Sequence, residues 1–118
     1  MIVAVAAATA VGAVLRFLLD TAITRVRRGA FPWGTFVINV LGAFVLGLVT
    51  ALAADGRLGD TRHDLLGPGL CAGFTTFSTW MWETLAGWRS GRRGVALLNI
   101  AATVVVGCAA AALGIALG

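Results

Sequence analysis

Four long apolar stretches alternate with three short polar segments along the chain. The apolar stretches run from about residue 2 to 23, 34 to 54, 65 to 88 and 94 to 117. A helix that crosses the hydrocarbon core of a bilayer needs about 20 predominantly apolar residues. Because all four stretches reach this length, the pattern predicts an all-α membrane protein of one domain with four transmembrane helices.

The composition supports a membrane protein. Hydrophobic residues make up 59% of the 118 positions and charged residues only 12%, whereas about 25% of an average soluble domain is charged. The net charge of +4 would suggest nucleic-acid binding in a soluble protein. Here the basic residues flank the predicted helices instead, so we expect no nucleic-acid partner.

The arginines are distributed unevenly between the polar segments. Six lie in the first and third segments, and only two lie in the second. The positive-inside rule therefore predicts that the first and third segments are cytoplasmic and that both termini are outside. The six are Arg25, Arg27, Arg28, Arg89, Arg92 and Arg93, and the two are Arg57 and Arg62.

The third apolar stretch contains an unusual concentration of hydroxyl groups. Thr75, Thr76, Ser78 and Thr79 follow Gly73 closely and occupy more than one helical face, so they cannot all bond back to a regular helix without weakening it. Irregular backbone at membrane depth is tolerated only where it is buried in protein or lines a wet path. We therefore predict that the third helix is broken near its centre, with free carbonyls ending one half and free amides starting the next.

Charged side chains inside the predicted spans are a short set. Arg16 has Asp20 one turn later, which predicts either a local ion pair or a fixed positive charge near an anion path or a dimer interface. Glu83 lies near the cytoplasmic end of the third span, where we expect it to reach Arg89 or Arg92. Intramembrane ionisable residues are candidates for functional roles.

Neutral polar and aromatic residues complete the candidate site. Asn39 in the second span is suited to donate a hydrogen bond to a desolvated anion, because its carboxamide carries two N–H groups. Phe77 and Trp80 are three residues apart and share a helical face, and their ring edges carry positive partial charge. Asn99 and Thr103, four residues apart, extend this polar stripe along the fourth span.

The sequence gives almost no support to catalysis. No Ser–His–Asp or Cys–His set and no phosphate-binding motif is present, and the single histidine, His63, lies in a polar segment. We therefore expect a protein that is not an enzyme.

Three motifs together closely resemble the CrcB/Fluc family of fluoride channels. They are Arg16-Phe17, the run Gly34-Thr-Phe-Val-Ile-Asn-Val-Leu-Gly42, and the run Cys71-Ala-Gly-Phe-Thr-Thr-Phe-Ser-Thr-Trp80. The resemblance implies fluoride export from the cytoplasm by passive conduction, in the inner or plasma membrane of a prokaryote. It also implies an antiparallel dimer with two pores and a structural sodium ion at its centre.

The resemblance assigns roles by motif position. It implies that backbone carbonyls of Ala72 and Thr75 hold the sodium ion. The implied fluoride path comprises Asn39, Phe77, Ser78, Thr79 and Trp80, and Thr103 extends it on the polar stripe. Arg16 matches the family's arginine of the first span, and with Glu83 it is expected to be a vestibule or structural charge.

The chain departs from the family pattern at three positions. Ala72 precedes Gly73 where the family commonly has two glycines, Trp80 replaces the second pore phenylalanine, and Asn99 stands where a tyrosine is common. A carbonyl ligand survives the first change. The indole of Trp80 must repack or narrow one pore, and Asn99 alters the polar stripe.

Several alternatives remain open at the level of sequence. An antiparallel homodimer requires one chain to insert both ways, but the uneven arginines favour one orientation. The partner is therefore either a second copy or a separately encoded relative of opposite orientation. A small four-span drug/proton antiporter is the main rival, with Asp20 as its carboxylate. A structural assembly protein would leave the hydroxyl cluster unexplained.

Overall fold

The computed structural model describes all residues from Met1 to Gly118 and contains helices but no strands. Three helices are long and apolar enough to cross a membrane, with mean hydropathies of 2.3 to 2.4. They are α1 (Ile2–Val26), α2 (Trp33–Ala54) and α6 (Arg93–Leu117). Three of the four predicted stretches are therefore helices, and their ends differ from the predicted ends by at most three residues.

The third predicted span has a different construction. The short helix α3 (Asp60–Asp64) runs into a π-helical segment, Leu65–Cys71, and then into α4 (Ala72–Phe74). The π-helical segment contains Pro68, which has no N–H to donate and so disfavours regular α-helical bonding. After Thr75 and Thr76 the chain forms α5, Phe77–Arg89.

The predicted break in this segment is confirmed. Thr75 has ψ of 159°, and Thr76 has φ of −149° and ψ of 117°, so both residues are extended. Gly73, which suggested the break, remains helical and packs against α1. The interruption therefore lies two residues later than the glycine.

Glycines allow the helices to approach closely at two places. A Cβ atom at Gly12 or Gly73 would overlap the backbone of the facing helix where α1 meets the π-helical segment and α4. A Cβ atom at Gly47 or Gly114 would do the same where α2 meets α6. Small residues at helix contacts are typical of membrane proteins, in which van der Waals packing drives association.

Most of the surface is apolar. Only 16 of the 118 residues are buried. Phe17 and Phe77 are 69% and 70% exposed, as are many aliphatic side chains on α1 and α6. An apolar surface of this extent requires lipid or another protein chain to cover it.

Candidate functional site

Asn39 of α2 holds the extended segment in place. Its Nδ2 donates to the carbonyl of Thr76 at 3.0 Å, and the amide of Thr76 donates to its Oδ1 at 2.9 Å. The carboxamide thus replaces a backbone pair that the broken helix lacks. One N–H of the amide group remains for a ligand.

The break frees the two carbonyls that the family resemblance implies as sodium ligands. In a continuous helix, the carbonyl of Ala72 would accept from the amide of Thr76, and that of Thr75 from the amide of Thr79. Instead the Thr76 amide bonds Asn39, and the Thr79 amide bonds the hydroxyl of Thr76 at 3.1 Å. Freed carbonyls of this kind coordinate Na⁺ at broken membrane helices, so the residues present fit a sodium ion.

Thr76 caps the second half-helix. It is the residue before α5 and its hydroxyl accepts the amide of Thr79, as expected of an N-cap threonine. Thr76 is not among the site residues predicted from the sequence. A hydroxyl residue directly before an amphipathic helical run is the signal that could have identified it.

Phe77 and Trp80 form an edge-to-face pair on the first turn of α5. Their ring centroids are 5.7 Å apart, with an interplanar angle of 73°. Trp80 is half-buried, and its indole Nε1 donates to the carbonyl of Asn99 on α6 at 3.3 Å. The expected shared face is therefore confirmed, with Phe77 outermost.

A buried hydrogen-bond chain fixes α5 against α6. Asn99, 1% exposed, donates through Nδ2 to the hydroxyl of Thr84 at 2.9 Å. Thr84 in turn donates to the carbonyl of Trp80 at 2.8 Å. Thr103 donates to Oδ1 of Asn99 at 3.5 Å, which confirms that the two share a face. Because Asn99 is enclosed by protein, it anchors the helices and does not itself extend an exposed stripe.

A groove of about 790 Å³ brings most of the predicted site residues together. Its lining includes Asn39, Phe77, Trp80 and Thr103 of the predicted fluoride path and Ala72 and Thr75 of the predicted sodium site. Thr76 also lines the groove. Ser78 and Thr79 lie outside this lining, the former exposed and the latter half-buried. The groove therefore joins polar groups from α2, the break and α6 on one apolar surface.

Of the two interpretations offered for Arg16, the local ion pair with Asp20 is not formed. Arg16 is half-buried but does not pair with Asp20, whose carboxylate faces Gly34 of α2 and accepts the Thr24 hydroxyl at 3.5 Å. Packing of α1 against α2 thus turns Asp20 away from Arg16.

Glu83 does not reach Arg89 or Arg92. It is half-buried and accepts a hydrogen bond from the hydroxyl of Thr35 on α2, because the packing of α5 turns it toward α2 while the two arginines remain exposed at the helix end. The 48 residues that separate Glu83 from Thr35 leave no sequence signal for this pair.

These observations define a small multi-pass helical membrane protein in which an interrupted segment exposes carbonyls, hydroxyls and aromatic edges along a groove. The family model described as CrcB-like protein, Camphor Resistance (CrcB), matches residues 3–115. The chain belongs to this family.

Bacterial relatives match over most of their length. "Fluoride-specific ion channel FluC 1" of Streptomyces avermitilis is 42% identical over 111 residues, which are 94% of this chain and 90% of the relative. "Fluoride-specific ion channel FluC 2" of Cutibacterium acnes is 48% identical over 110 residues, with 91% and 88% covered. The protein of the same name from Mycobacterium tuberculosis is 42% identical over 106 residues, with 88% and 79% covered.

Proposed function

We propose that this chain is the subunit of a fluoride-selective channel that lets fluoride leave the cytoplasm by passive conduction. The observation that carries the proposal is the break at Thr75 and Thr76, which opens into the groove beside Asn39 and the Phe77–Trp80 pair. The relatives' printed names support the choice of ion.

The groove offers the interactions that a small, strongly hydrated anion requires. A conducting site must replace the hydration shell and still release the ion. The free N–H of Asn39 and the ring edges of Phe77 and Trp80 supply partial positive charge without a full buried charge. Ser78 contributes its amide at the first turn of α5, where helix amides lack intrahelical acceptors, and Thr79, whose amide already donates to Thr76, contributes its hydroxyl.

The functional unit that we propose has four spans per chain and is an antiparallel dimer. The segments from Asp60 to Phe74 and from Phe77 to Arg89 together form the third span in chain order. One cavity is lined by residues of both the α1–α2 and the α5–α6 links, and this supports an arrangement with the two links at the same end of the bundle. The exposure of Phe77 and Ala72 supports a partner chain on that surface.

The carbonyls of Ala72 and Thr75 are the proposed holders of a structural sodium ion. Bound there, the ion would supply a fixed positive charge shared between two subunits. The clamp from Asn39 to Thr76 keeps the break extended, so that the amide of Thr76 does not return to the carbonyl of Ala72. Arg16 and Glu83 are proposed as charges that shape the ends of the path.

We propose that the partner subunit is either a second copy of this chain or a related chain of opposite orientation. The uneven distribution of arginines, six against two across the membrane in the predicted topology, supports the related chain. Reporter fusions at the C-terminus measure the orientation. Signal from the outside only is expected, and equal signals from both sides would favour a homodimer.

Fluoride efflux from liposomes tests the function. The purified chain, alone and with any paired relative, is reconstituted at low density and efflux is followed with a fluoride electrode. Phe77→Ala is expected to reduce efflux at least tenfold, because it removes the outermost ring edge. Thr50→Val is the matched control, since its hydroxyl bonds only Leu46 of its own helix. No fluoride release together with proton-coupled cation uptake would show an antiporter instead.

A further inference from the structure

A second cavity, of about 630 Å³, lies where the link between α1 and α2 meets the link between α5 and α6. It shares no lining residue with the groove at the break. Four arginines line it together: Arg25 in the last turn of α1, and Arg27, Arg28 and Arg92 in the two links. The proposed ion path makes no use of this concentration of guanidinium groups.

The arginines of the cavity have no carboxylate partners. The only ion pair in the structure joins His63 to Asp64, at 3.4 Å. The cavity contains two carboxylates, but Asp20 accepts from Thr24 and Glu83 accepts from Thr35. Four exposed arginines therefore line the cavity together with two carboxylates that already accept hydrogen bonds from threonines.

Tryptophans place this cavity at the boundary between membrane and water. Trp33 and Trp82 both line it, and Trp82 is 67% exposed. The guanidinium of Arg27 lies 5.1 Å from the centre of the Trp33 ring. Tryptophan is enriched at the level of the lipid headgroups, where its ring is in contact with both phases.

We propose that this cavity binds the phosphodiester headgroup of an anionic phospholipid. Guanidinium groups match phosphate oxygens through forked, charge-assisted hydrogen bonds. Basic pockets between membrane helices on the cytoplasmic side are suited to anionic headgroups. Trp82 lies beside the arginines, where it contacts the glycerol and the first methylenes of the same lipid.

The predicted topology explains why arginines lie on this side of the membrane, but it does not require four of them to line one cavity. Arg89 and Arg93 belong to the same side and lie outside the cavity lining. Arg93 instead lies over the ring of Trp88, with 4.9 Å to its centroid. These two residues therefore provide a comparison of equal charge change at the same face.

Native mass spectrometry of the purified full-length protein tests the proposal. The probes are phosphatidylglycerol and the zwitterionic phosphatidylcholine, each added in mild detergent. The wild-type protein is expected to retain phosphatidylglycerol at least fivefold more than phosphatidylcholine. The double variant R27Q/R28Q is expected to lose this preference, whereas R89Q/R93Q keeps it.

Two further measurements make the result decisive. R27K/R28K preserves the charge but not the forked geometry of the guanidinium groups. We expect this variant to lose at least half of the preference for phosphatidylglycerol over phosphatidylcholine. Circular dichroism checks that all variants are folded. Inorganic phosphate at millimolar concentration is the soluble arm. We expect that inorganic phosphate does not displace the bound phosphatidylglycerol. Complete displacement would overturn the lipid assignment in favour of free phosphate.

Equal loss of the preference in R27Q/R28Q and R89Q/R93Q would also overturn the proposal, because general surface charge would then explain it. Lipid retention is measured without any ion flux. A result without a preference for phosphatidylglycerol would therefore leave the proposed channel function unaffected.

Discussion

Removal of the Asn39 carboxamide is the most direct test of how the break is held. Asn39→Leu removes both hydrogen bonds to the backbone of Thr76, at 3.0 and 2.9 Å, with little change in side-chain volume. We assign about 1 kcal/mol to each bond, which is the usual net contribution of an intramolecular hydrogen bond to stability. The total of about 2 kcal/mol corresponds to a factor of about 30 in the equilibrium between the clamped and unclamped break.

Amide hydrogen exchange in detergent measures this effect at the residue concerned. The Thr76 amide is expected to exchange about 30-fold faster in Asn39→Leu than in the wild-type protein, while amides within α2 are unchanged. Fluoride efflux is expected to fall at least tenfold, since both the clamp and the donor are lost. Thr50→Val should leave both measurements unchanged.

The two readouts separate the clamp from a direct role in ion binding. Reduced efflux with unchanged protection at Thr76 would show that Asn39 contacts the ion but does not hold the break. Unchanged efflux together with unchanged protection would refute the reasoning altogether.

Three other changes test the packing around the site. Thr84→Val should lower the free energy of unfolding by about 1 to 3 kcal/mol, because it leaves the buried carboxamide of Asn99 without its acceptor; Thr84→Ser should recover most of this in thermal unfolding followed by size exclusion. Gly73→Val should give little folded protein in the membrane fraction, since its side chain would overlap the backbone of α1. Gly94→Ala, with no atom within 4 Å of the new methyl group, should express normally, and equal yields would refute the close-approach argument. Trp80→Phe should lower the free energy of unfolding by about 1 kcal/mol or less, because it removes the hydrogen bond to the Asn99 carbonyl. It should raise fluoride efflux if the indole narrows the path. Slower efflux would show that the indole N–H is needed there.

The sequence alone determined the helical membrane architecture and the presence of a break. Bilayer thickness fixes the length of apolar runs, so α1, α2 and α6 could be bounded to within three residues. Hydroxyl groups on several faces of one segment weaken a regular helix, and irregular backbone at membrane depth must be buried in protein or line a cavity, which together predicted the interruption. The position of the extended residues, at Thr75 and Thr76 and not at Gly73, was not determined in this way.

Tertiary structure decided which polar groups meet. Asn39 bonds a residue 37 positions away, and Thr35 bonds one 48 positions away. Helical periodicity shows which residues share a face but not how that face is rotated toward its neighbours. The rotation is set by close glycine contacts between helices, so only the packed chain could show that Asn99 anchors Thr84 and that Glu83 faces Thr35 and not the arginines.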